Sequence, residues 1–508
     1  MKKLISLLLV LVMLLPVVSV MAEEAYLTSY SAVFEWGDME GWHARSADGG
    51  AKLNLVANML NIKGRTEPWN SIAKEFNFQP GTEYSYSLEV RQMTLDTADF
   101  ILSMAHSKDG QETYENLQTV TAKKGEWVEF SGKFTPAEFD NYILYVETAG
   151  NGTLDYAIRN ITVEKANASY DEVLPSLYEL YAPYFDFGGC LPQNMLSDSK
   201  RMAVVKDQYN ILTHENELKP DAVLDVAASR NLAKEDETAV AVKFNAAKPM
   251  LDYCQKNGIK VHGHVLAWHS QTPAAFFHEG YDTSKPYVTR EVMLARLENY
   301  IRQVFEYTEA NYPGLIVSWD VVNEAVADGS TQLRTSNWTK VVGQDFVNRA
   351  FEYARKYAPE GCLLYYNDYS TPYEPKLTGI CNLLDSLVAD GNIDGYGFQC
   401  HYSTGTPTIG QVRTALNKIA AKGLKLRVSE LDIGISGDNS IQRTVQAEKF
   451  KQLMKLFVEF ADQMEAVQVW GVTDDRSWRS DEYPLLFDLK IRPKEAFFAV
   501  AEAVSPEE

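Results

Sequence analysis

Short apolar segments alternate with amphipathic stretches through the last two thirds of this 508-residue sequence. Amphipathic stretches at 290–311, 344–356, 411–422 and 444–463 have the length and spacing of helices. Eight such strand-then-helix units indicate a (β/α)₈ barrel, an α/β fold. An open doubly wound sheet is the competing architecture, but no predicted strand runs into a Gly-x-Gly-x-x-Gly loop. The predicted strands are 185–189, 211–213, 260–264, 316–323, 363–366, 395–399, 425–430 and 466–470.

Residues 30 to 164 show a different pattern, in which apolar and polar residues alternate in short runs between turn signals. Such runs occupy 83–90, 127–130 and 142–146, and Pro80-Gly81 is one of the turns. Runs with a period of two at this spacing predict an all-β sandwich. The predicted organisation is a signal segment at 1–22, the sandwich at 23–165, a short linker at 166–171 and the barrel at 172–508.

The first 22 residues have the features of an export signal. Lys2 and Lys3 precede an apolar run that continues to Val20, and Val20-Met21-Ala22 has small residues at both key positions of a cleavage site. A run of about 17 residues is short for a membrane span. We therefore expect a secreted, extracellular protein without a membrane anchor.

Composition limits the partners that such a protein can have. The chain has 48 Lys and Arg against 69 Asp and Glu, which gives a net charge of −21. Nucleic acid or an anionic membrane would require a basic patch, and the sequence contains none. Five scattered cysteines form neither a disulfide scaffold nor a Cys-x-x-Cys metal pair. We expect a neutral substrate and a monomer.

Polar residues cluster where the predicted barrel strands end, and barrel enzymes build their active sites at this end. Glu324 and Glu430 each follow an apolar strand, although burying a carboxylate without partners is costly. Two carboxylates at one rim can protonate a leaving oxygen and attack or stabilise an oxocarbenium-like carbon. That is the chemistry of glycoside hydrolysis.

Five ordered motifs lie in the barrel region: HVLAWHSQ at 264–271, WDVVNEA at 319–325, YNDY at 366–369, SELDI at 429–433 and WGVTDDRSW at 470–478. Together they resemble glycoside hydrolase family 10, over about residues 172–504. The resemblance implies an endo-β-1,4-xylanase that acts on xylan and xylo-oligosaccharides with retention of configuration. It implies Glu324 as the general acid/base and Glu430 as the nucleophile.

The same resemblance implies which residues bind the sugar. Indole faces suit the C–H face of a pyranose, and amide and charged groups suit its hydroxyls. Gln271 and Trp478 would leave little room for a C6 hydroxymethyl group, which favours xylose over glucose. The implied substrate-binding residues are Glu215, Asn216, Lys219, His264, Trp268, Gln271, Asn323, Asn367, Tyr369, Gln399, His401, Trp470 and Trp478.

Strand periodicity adds an expectation about the nucleophile. Glu430 and Asp432 are two residues apart, as are Gln399 and His401, so in a regular strand each pair faces one side. His401 can then lie between the Glu430 and Asp432 carboxylates. In that position it would support the nucleophile by holding its ionisation and orientation.

The neighbours Asn323 and Glu324 raise a different requirement. Adjacent residues of a regular strand point to opposite faces, so both reach the sugar only if the strand bulges or ends there. We therefore predict a local irregularity at this position. Asn323 would then hydrogen-bond the 2-hydroxyl beside the reacting carbon.

The N-terminal region contains three further motifs, GWHAR at 41–45, GRTEPWN at 64–70 and LYVET at 144–148, which resemble carbohydrate-binding module family 22. Tyr145 and Glu147 are two apart and share a face. With Arg45 and Trp69 they would form a xylan-binding groove that offers one stacking ring. A purely stabilising domain stays open as the alternative, and so does a structural calcium ion in the sandwich.

Three histidines, His262, His264 and His269, raise the question of a metal site. No carboxylate lies at matching close spacing, so neither a catalytic metal nor another cofactor is expected. Two other functions stay open. One is a barrel glycosidase for another β-glycan, such as a mixed-linkage glucan. The other is a catalytically inactive polysaccharide binder, which the presence of both glutamates disfavours.

Overall fold

The computed structural model divides into two compact units, one up to residue 168 and one from residue 169. The described residues are 26–27, 29–32, 34, 39, 41–45, 51–56, 59–150, 152–165 and 174–504. The predicted signal segment, 1–22, and the predicted linker, 166–171, lie outside these residues. Within the described ranges, no helix combines the length and apolar character that crossing a membrane requires.

The N-terminal unit is a β-sandwich of two antiparallel sheets, as predicted. Its strands bury alternate residues, and Tyr84, Tyr86, Leu88 and Val90 of one strand all point into the core. One sheet contains Ser29–Ala32, Lys52–Val56, Met59–Lys63, Tyr84–Gln92, Val128–Phe134 and Tyr156–Lys165. The other contains His43–Ala44, Ile72–Phe76, Thr97–Lys108, Gln111–Lys123 and Asn141–Thr148.

The C-terminal unit is a closed barrel of eight parallel strands, which confirms the predicted fold. Neighbouring strands pair in chain order, and the eighth pairs with the first. We number them first to eighth along the chain. They are Asp186–Leu191, Ile211–His214, Lys260–Trp268, Ile316–Asn323, Leu363–Asp368, Gly395–Phe398, Lys425–Gly434 and Met464–Val469.

Amphipathic helices surround these strands. The helix Arg290–Asn311 has the predicted bounds, begins at the capping hydroxyl of Thr289 and buries a stripe that includes Leu297, Ile301 and Val304. The other α-helices are Leu177–Tyr181, Ser199–Gln208, Pro220–Val223, Val226–Leu232, Lys248–Asn257, Asn337–Val341, Phe346–Tyr357, Lys376–Asp390, Ile409–Ala420, Ser440–Val458 and Glu495–Glu502.

The fourth and sixth strands lose their regular geometry at the carboxyl end of the barrel. The fourth ends at Asn323, and Glu324 has a φ of +56°, so the predicted irregularity is confirmed. The sixth stops at Phe398 and resumes as the short strand His401–Ser403, with Cys400 at a φ of +60°. The assumption of one regular strand through 399–401 was therefore wrong. A non-glycine residue with a positive φ lies in the left-handed region of backbone conformation, which destabilises the fold by about 1–3 kcal/mol. Contacts in the surrounding structure must offset this cost.

Candidate active site

A cavity of about 440 Å³ opens at the carboxyl end of the barrel strands. Its lining comes from the ends of the second to eighth strands and from the loops that follow them. All of the lining residues are among those predicted from the sequence. They are Glu215, Asn216, Lys219, His264, Trp268, Gln271, Asn323, Glu324, Tyr369, Gln399, His401, Glu430, Trp470 and Trp478.

The carboxyl group of Glu324 is held by two donors. Nε1 of Trp268 donates to Oε2 and Nε2 of Gln399 donates to Oε1, each at 2.9 Å. The Glu324 side chain keeps 14% of its surface exposed towards the cavity. A carboxyl group that is fixed in position but still reachable can exchange a proton with a bound ligand.

Glu430 lies deeper, in the seventh strand, and is 5% exposed. Its Oε1 accepts a hydrogen bond of 2.7 Å from Nδ2 of Asn367, and its Oε2 lies 3.1 Å from Nε2 of His401. These two partners fix the plane of the carboxylate. A nucleophile has to be held in this way to face the atom that it attacks.

One amide oxygen connects the two carboxylates. Oδ1 of Asn323 accepts hydrogen bonds from Asn367 at 3.0 Å and from Gln399 at 3.1 Å. The same two amide nitrogens donate to Glu430 and Glu324 respectively. The two carboxylates are therefore linked by hydrogen bonds through Asn367, Asn323 and Gln399. The oxygen of the Asn323 amide is used in this chain, and its NH₂ group can donate to a ligand.

Asn367 was predicted to bind substrate, but the structure places it behind the cavity wall. It is fully buried, its Nδ2 is used on Asn323 and Glu430, and its Oδ1 accepts from Oγ of Ser429 at 2.7 Å. A Cβ at Gly397 would lie 2.3 Å from that oxygen, so the glycine leaves room for the amide. Asn367 therefore positions Glu430 and is not among the residues that line the cavity.

His401 lies between two carboxylates, as predicted. Its Nδ1 is 2.8 Å from Oδ2 of Asp432, which is fully buried, and its Nε2 faces Glu430. Burial by itself would lower the pKa of His401, but Asp432 and Glu430 outweigh it and raise the pKa to about 10. The ring is therefore an imidazolium at neutral pH and donates to both carboxylates.

The wall formed after the second and third strands carries amide and charged groups. Nζ of Lys219 donates to Oδ1 of Asn216 at 3.1 Å and lies 5.0 Å from the centre of the Trp268 ring. Nε2 of Gln271 approaches the same asparagine oxygen at 3.4 Å. Burial raises the pKa of Glu215, although the charge of Lys219 opposes this. This wall offers donors and acceptors to the hydroxyls of a sugar.

His264 lines the cavity, and a contact between its Nδ1 atom and a buried carboxylate holds the ring in place. Nδ1 lies 2.8 Å from Oδ2 of Asp320, and Nε2 of His262 lies 3.0 Å from the same oxygen. Burial lowers the pKa of His262 to about 4, so that ring is neutral. These histidines therefore contact a carboxylate of the barrel core. Among the described residues, no group of three or more His, Cys, Asp or Glu could hold a metal ion.

Residues that were not predicted hold Tyr369 at the opposite edge. Nη2 of Arg334 donates to its hydroxyl at 3.0 Å, and Nζ of Lys376 lies 3.5 Å from the centre of its ring. Asp328 accepts from Tyr369 and, at 3.0 Å, from Lys376. No local sequence pattern indicates this cluster, because its members come from two separate segments, 328–334 and 369–376.

Two indoles form the remaining wall. Trp470 is 7% exposed, whereas Trp478 is 60% exposed and donates from Nε1 to Oδ2 of Asp432 at 2.9 Å. Arg479 donates to the other oxygen of Asp432, a contact that the sequence did not predict. Its position directly after Trp478 was the sequence feature that could have indicated this contact with Asp432.

The sandwich unit has a groove of about 540 Å³ that contains all four predicted residues, Arg45, Trp69, Tyr145 and Glu147. The Tyr145 ring is 2% exposed and is covered by the Arg45 guanidinium, 3.8 Å from its centre. It cannot be the stacking ring. Trp69 at 46% and the unpredicted Tyr114 at 60% are the exposed aromatic rings of the groove.

A closed parallel barrel with two carboxylates in one cleft at its carboxyl end defines a barrel glycoside hydrolase. The family model of glycosyl hydrolase family 10 matches residues 176–503, and the chain belongs to that family. A carbohydrate binding domain model matches residues 28–153. The N-terminal unit is thus a carbohydrate-binding module.

Known relatives extend over both units. Endo-1,4-beta-xylanase Y of Acetivibrio thermocellus is 34% identical over 467 residues, which cover 86% of this chain and 42% of that protein. Endo-1,4-beta-xylanase A of Thermotoga neapolitana is 32% identical over 513 residues, 94% of this chain and 46% of that protein. This chain therefore spans less than half the length of these relatives.

A solved structure has the same two-module organisation. It contains the CBM22-1 and GH10 modules of xylanase 10B from Clostridium thermocellum in complex with xylohexaose. It is 30% identical, covers 94% of this chain and 97% of that one, and superposes with a TM-score of 0.62.

Proposed function

We propose that this protein is a secreted endo-β-1,4-xylanase that hydrolyses internal bonds of xylan with retention of configuration and carries a xylan-binding module. The observation that carries the proposal is the pair Glu324 and Glu430, joined through Asn323 in one cleft. Two relatives named as endo-1,4-beta-xylanases and a neighbour with bound xylohexaose support xylan as the substrate.

In the first step Glu430 attacks the anomeric carbon, and the bond from that carbon to the leaving oxygen breaks. Glu324 gives its proton to this oxygen, and a covalent ester joins Glu430 to the sugar. In the second step Glu324 takes a proton from water as the water attacks the same carbon. The ester breaks, Glu430 leaves as a carboxylate and Glu324 is protonated again. The Asn323 NH₂ group would donate to the 2-hydroxyl in both transition states.

A xylan digest tests the activity and its stereochemistry together. Mass analysis should detect a ladder of xylo-oligosaccharides early in the digest, which is the result of internal cleavage. Proton NMR during the first minutes should detect the β-anomer before mutarotation. An α-anomer at this stage would rule out retention, and release of xylose alone would rule out internal cleavage.

Another β-glycan is the competing substrate, because one relative, 29% identical over 499 residues, is named exoglucanase XynX. Gln271 and Trp478 line the cleft where a C6 hydroxymethyl group would have to fit. We predict kcat/KM on an aryl xylobioside about 10–200-fold above that on the matching aryl cellobioside. Gln271→Ala should lower this ratio by raising kcat/KM on the cellobioside. Equal values for the wild-type protein would favour a glucan.

Trp69 provides the test of the module. In the full chain carrying Glu430→Gln, Trp69→Ala should weaken binding to soluble xylan about tenfold, because an exposed stacking ring is lost. Affinity electrophoresis in xylan measures this. The matched control is Trp127→Ala, whose indole lies near Arg91 and Arg159 of the sheet that does not carry the groove. Equal retardation of both variants and the parent would contradict xylan binding by this groove.

The remaining parts of the proposal concern the whole molecule. Lys2, Lys3 and the site at Val20-Met21-Ala22 support export, and the secreted protein should begin at Glu23 by N-terminal sequencing. We propose that the protein acts as a monomer without a metal or other cofactor. Its xylanase activity should therefore survive dialysis against a chelator.

A further inference from the structure

Asp432 is a fully buried carboxylate behind the nucleophile, and both of its oxygens accept hydrogen bonds. His401 and Trp478 donate to Oδ2 at 2.8 and 2.9 Å, and Arg479 donates to Oδ1. The two outer donors come from adjacent positions of one loop. This loop therefore completes the hydrogen bonding of a fully buried carboxylate.

Arg479 is itself held on three sides. It donates from Nη1 to the carbonyl of Tyr402 at 3.0 Å and from Nη2 to Oε2 of Glu482 at 2.6 Å, and its side chain is 14% exposed. A Cβ at Gly434 would lie 2.2 Å from Oε2 of Glu482 and 2.6 Å from Nη2 of Arg479. The seventh strand thus has no side chain where this ion pair packs.

The result is a line of alternating charges from Glu482 through Arg479, Asp432 and His401 to Glu430. Each charge lies beside one of opposite sign, which stabilises every member in its ionised form. The nearby thiols stay neutral, because burial raises the pKa of Cys400 to about 12 and that of Cys190 well above its usual range.

We propose that Arg479, held by Glu482, is a positioning residue that keeps Asp432 ionised and oriented, so that His401 remains an imidazolium donating to Glu430. This inference rests on the proposed hydrolase function for its kinetic consequences only. Removing the Arg479 cation raises the affinity of the neighbouring carboxylates for protons. The chain of charges that reaches Glu430 through Asp432 and His401 would then be stabilised less, and kcat/KM should begin to fall at a higher pH.

Kinetics of the full chain test the role of Arg479. Arg479→Met should lower kcat about tenfold or more and move the acid limb of kcat/KM up by about half a pH unit or more. Arg479→Lys keeps the positive charge and should return the acid limb of the kcat/KM profile to its wild-type pH. It should not restore kcat, because a lysine lacks the planar guanidinium that donates to Asp432 and Glu482 together. Arg476→Met is the matched control, since its side chain is on the same loop and 52% exposed.

A purely structural role gives a different result. If Arg479 only anchored the loop that carries Trp478, Arg479→Met would raise KM and leave kcat and the acid limb unchanged. Either that result or equality with Arg476→Met would overturn the proposal. Thermal unfolding of the variants identifies one that fails to fold, and Arg479→Lys then provides the test.

A readout without turnover separates this inference from the proposed function. NMR of protein with ¹³C-labelled histidine rings, assigned with a His401→Asn variant, follows one of eight histidines. The His401 signal should stay that of an imidazolium between pH 5 and 9. Titration near pH 6.5 would overturn the inference even in an active enzyme. An imidazolium signal in a protein that leaves xylan intact would instead contradict only the function.

Discussion

Glu430→Gln is expected to lower kcat on xylan by about 10⁴-fold or more, because an amide cannot form the glycosyl ester. The substitution also disturbs the carboxylate's surroundings. Asn367 and His401 both donate to Glu430, at 2.7 and 3.1 Å, and an amide offers an oxygen to only one of them. Initial rates of reducing-end release, together with thermal unfolding, separate the chemical effect from loss of fold.

Glu465→Gln is the matched control for this change. Glu465 lies at the amino end of the eighth strand and pairs with Lys425 at 2.6 Å, away from the cleft. It should change kcat by less than about twofold, since surface ion pairs contribute little. A Glu430→Gln protein that keeps more than about 1% of wild-type activity would rule out this residue as the nucleophile.

Local pattern was sufficient for the barrel and for most of the cleft. Periodicity predicted the bounds of Arg290–Asn311 and the start of the fourth strand at Ile316. It also placed His401 between Glu430 and Asp432, because those two residues are two apart on the seventh strand and share a face, although the assumed regular strand through 399–401 was wrong. Such inferences succeed because they need only the geometry of one element and the rule that active sites lie at one end of a barrel.

Features that depend on several segments were not predicted. The sixth strand breaks at Cys400, and after the break His401 pairs in register with Asp432 of the neighbouring seventh strand. Asn367 looked like a ligand-binding residue at a strand end, but Ser429 and Gly397 define its buried role. A single sequence does not indicate these long-range contacts, and they decide whether a polar residue touches ligand or positions another group.

Glu324→Ala is the second substitution with a large expected effect. Xylan hydrolysis should fall about 10²–10⁴-fold, the usual contribution of a general acid/base. A 2,4-dinitrophenyl xylobioside needs no proton on its leaving group, so its first step should stay fast. The glycosyl-enzyme then accumulates, because no base activates water, and a burst of dinitrophenol equal to the enzyme concentration should precede a slow steady state.

Azide turns the same variant into a test of which carboxylate has which role. Removing the Glu324 carboxylate leaves Nε1 of Trp268 and Nε2 of Gln399 aimed at the empty space, because each was 2.9 Å from one of its oxygens. A small anion fits there and needs no base to attack the glycosyl-enzyme, so azide should restore the steady-state rate. The product should be the β-glycosyl azide by NMR. With Glu430→Ala, azide enters from the other face and should give the α-azide. If Glu324→Ala gave the α-azide and Glu430→Ala gave the β-azide, the roles of the two glutamates would have to be exchanged.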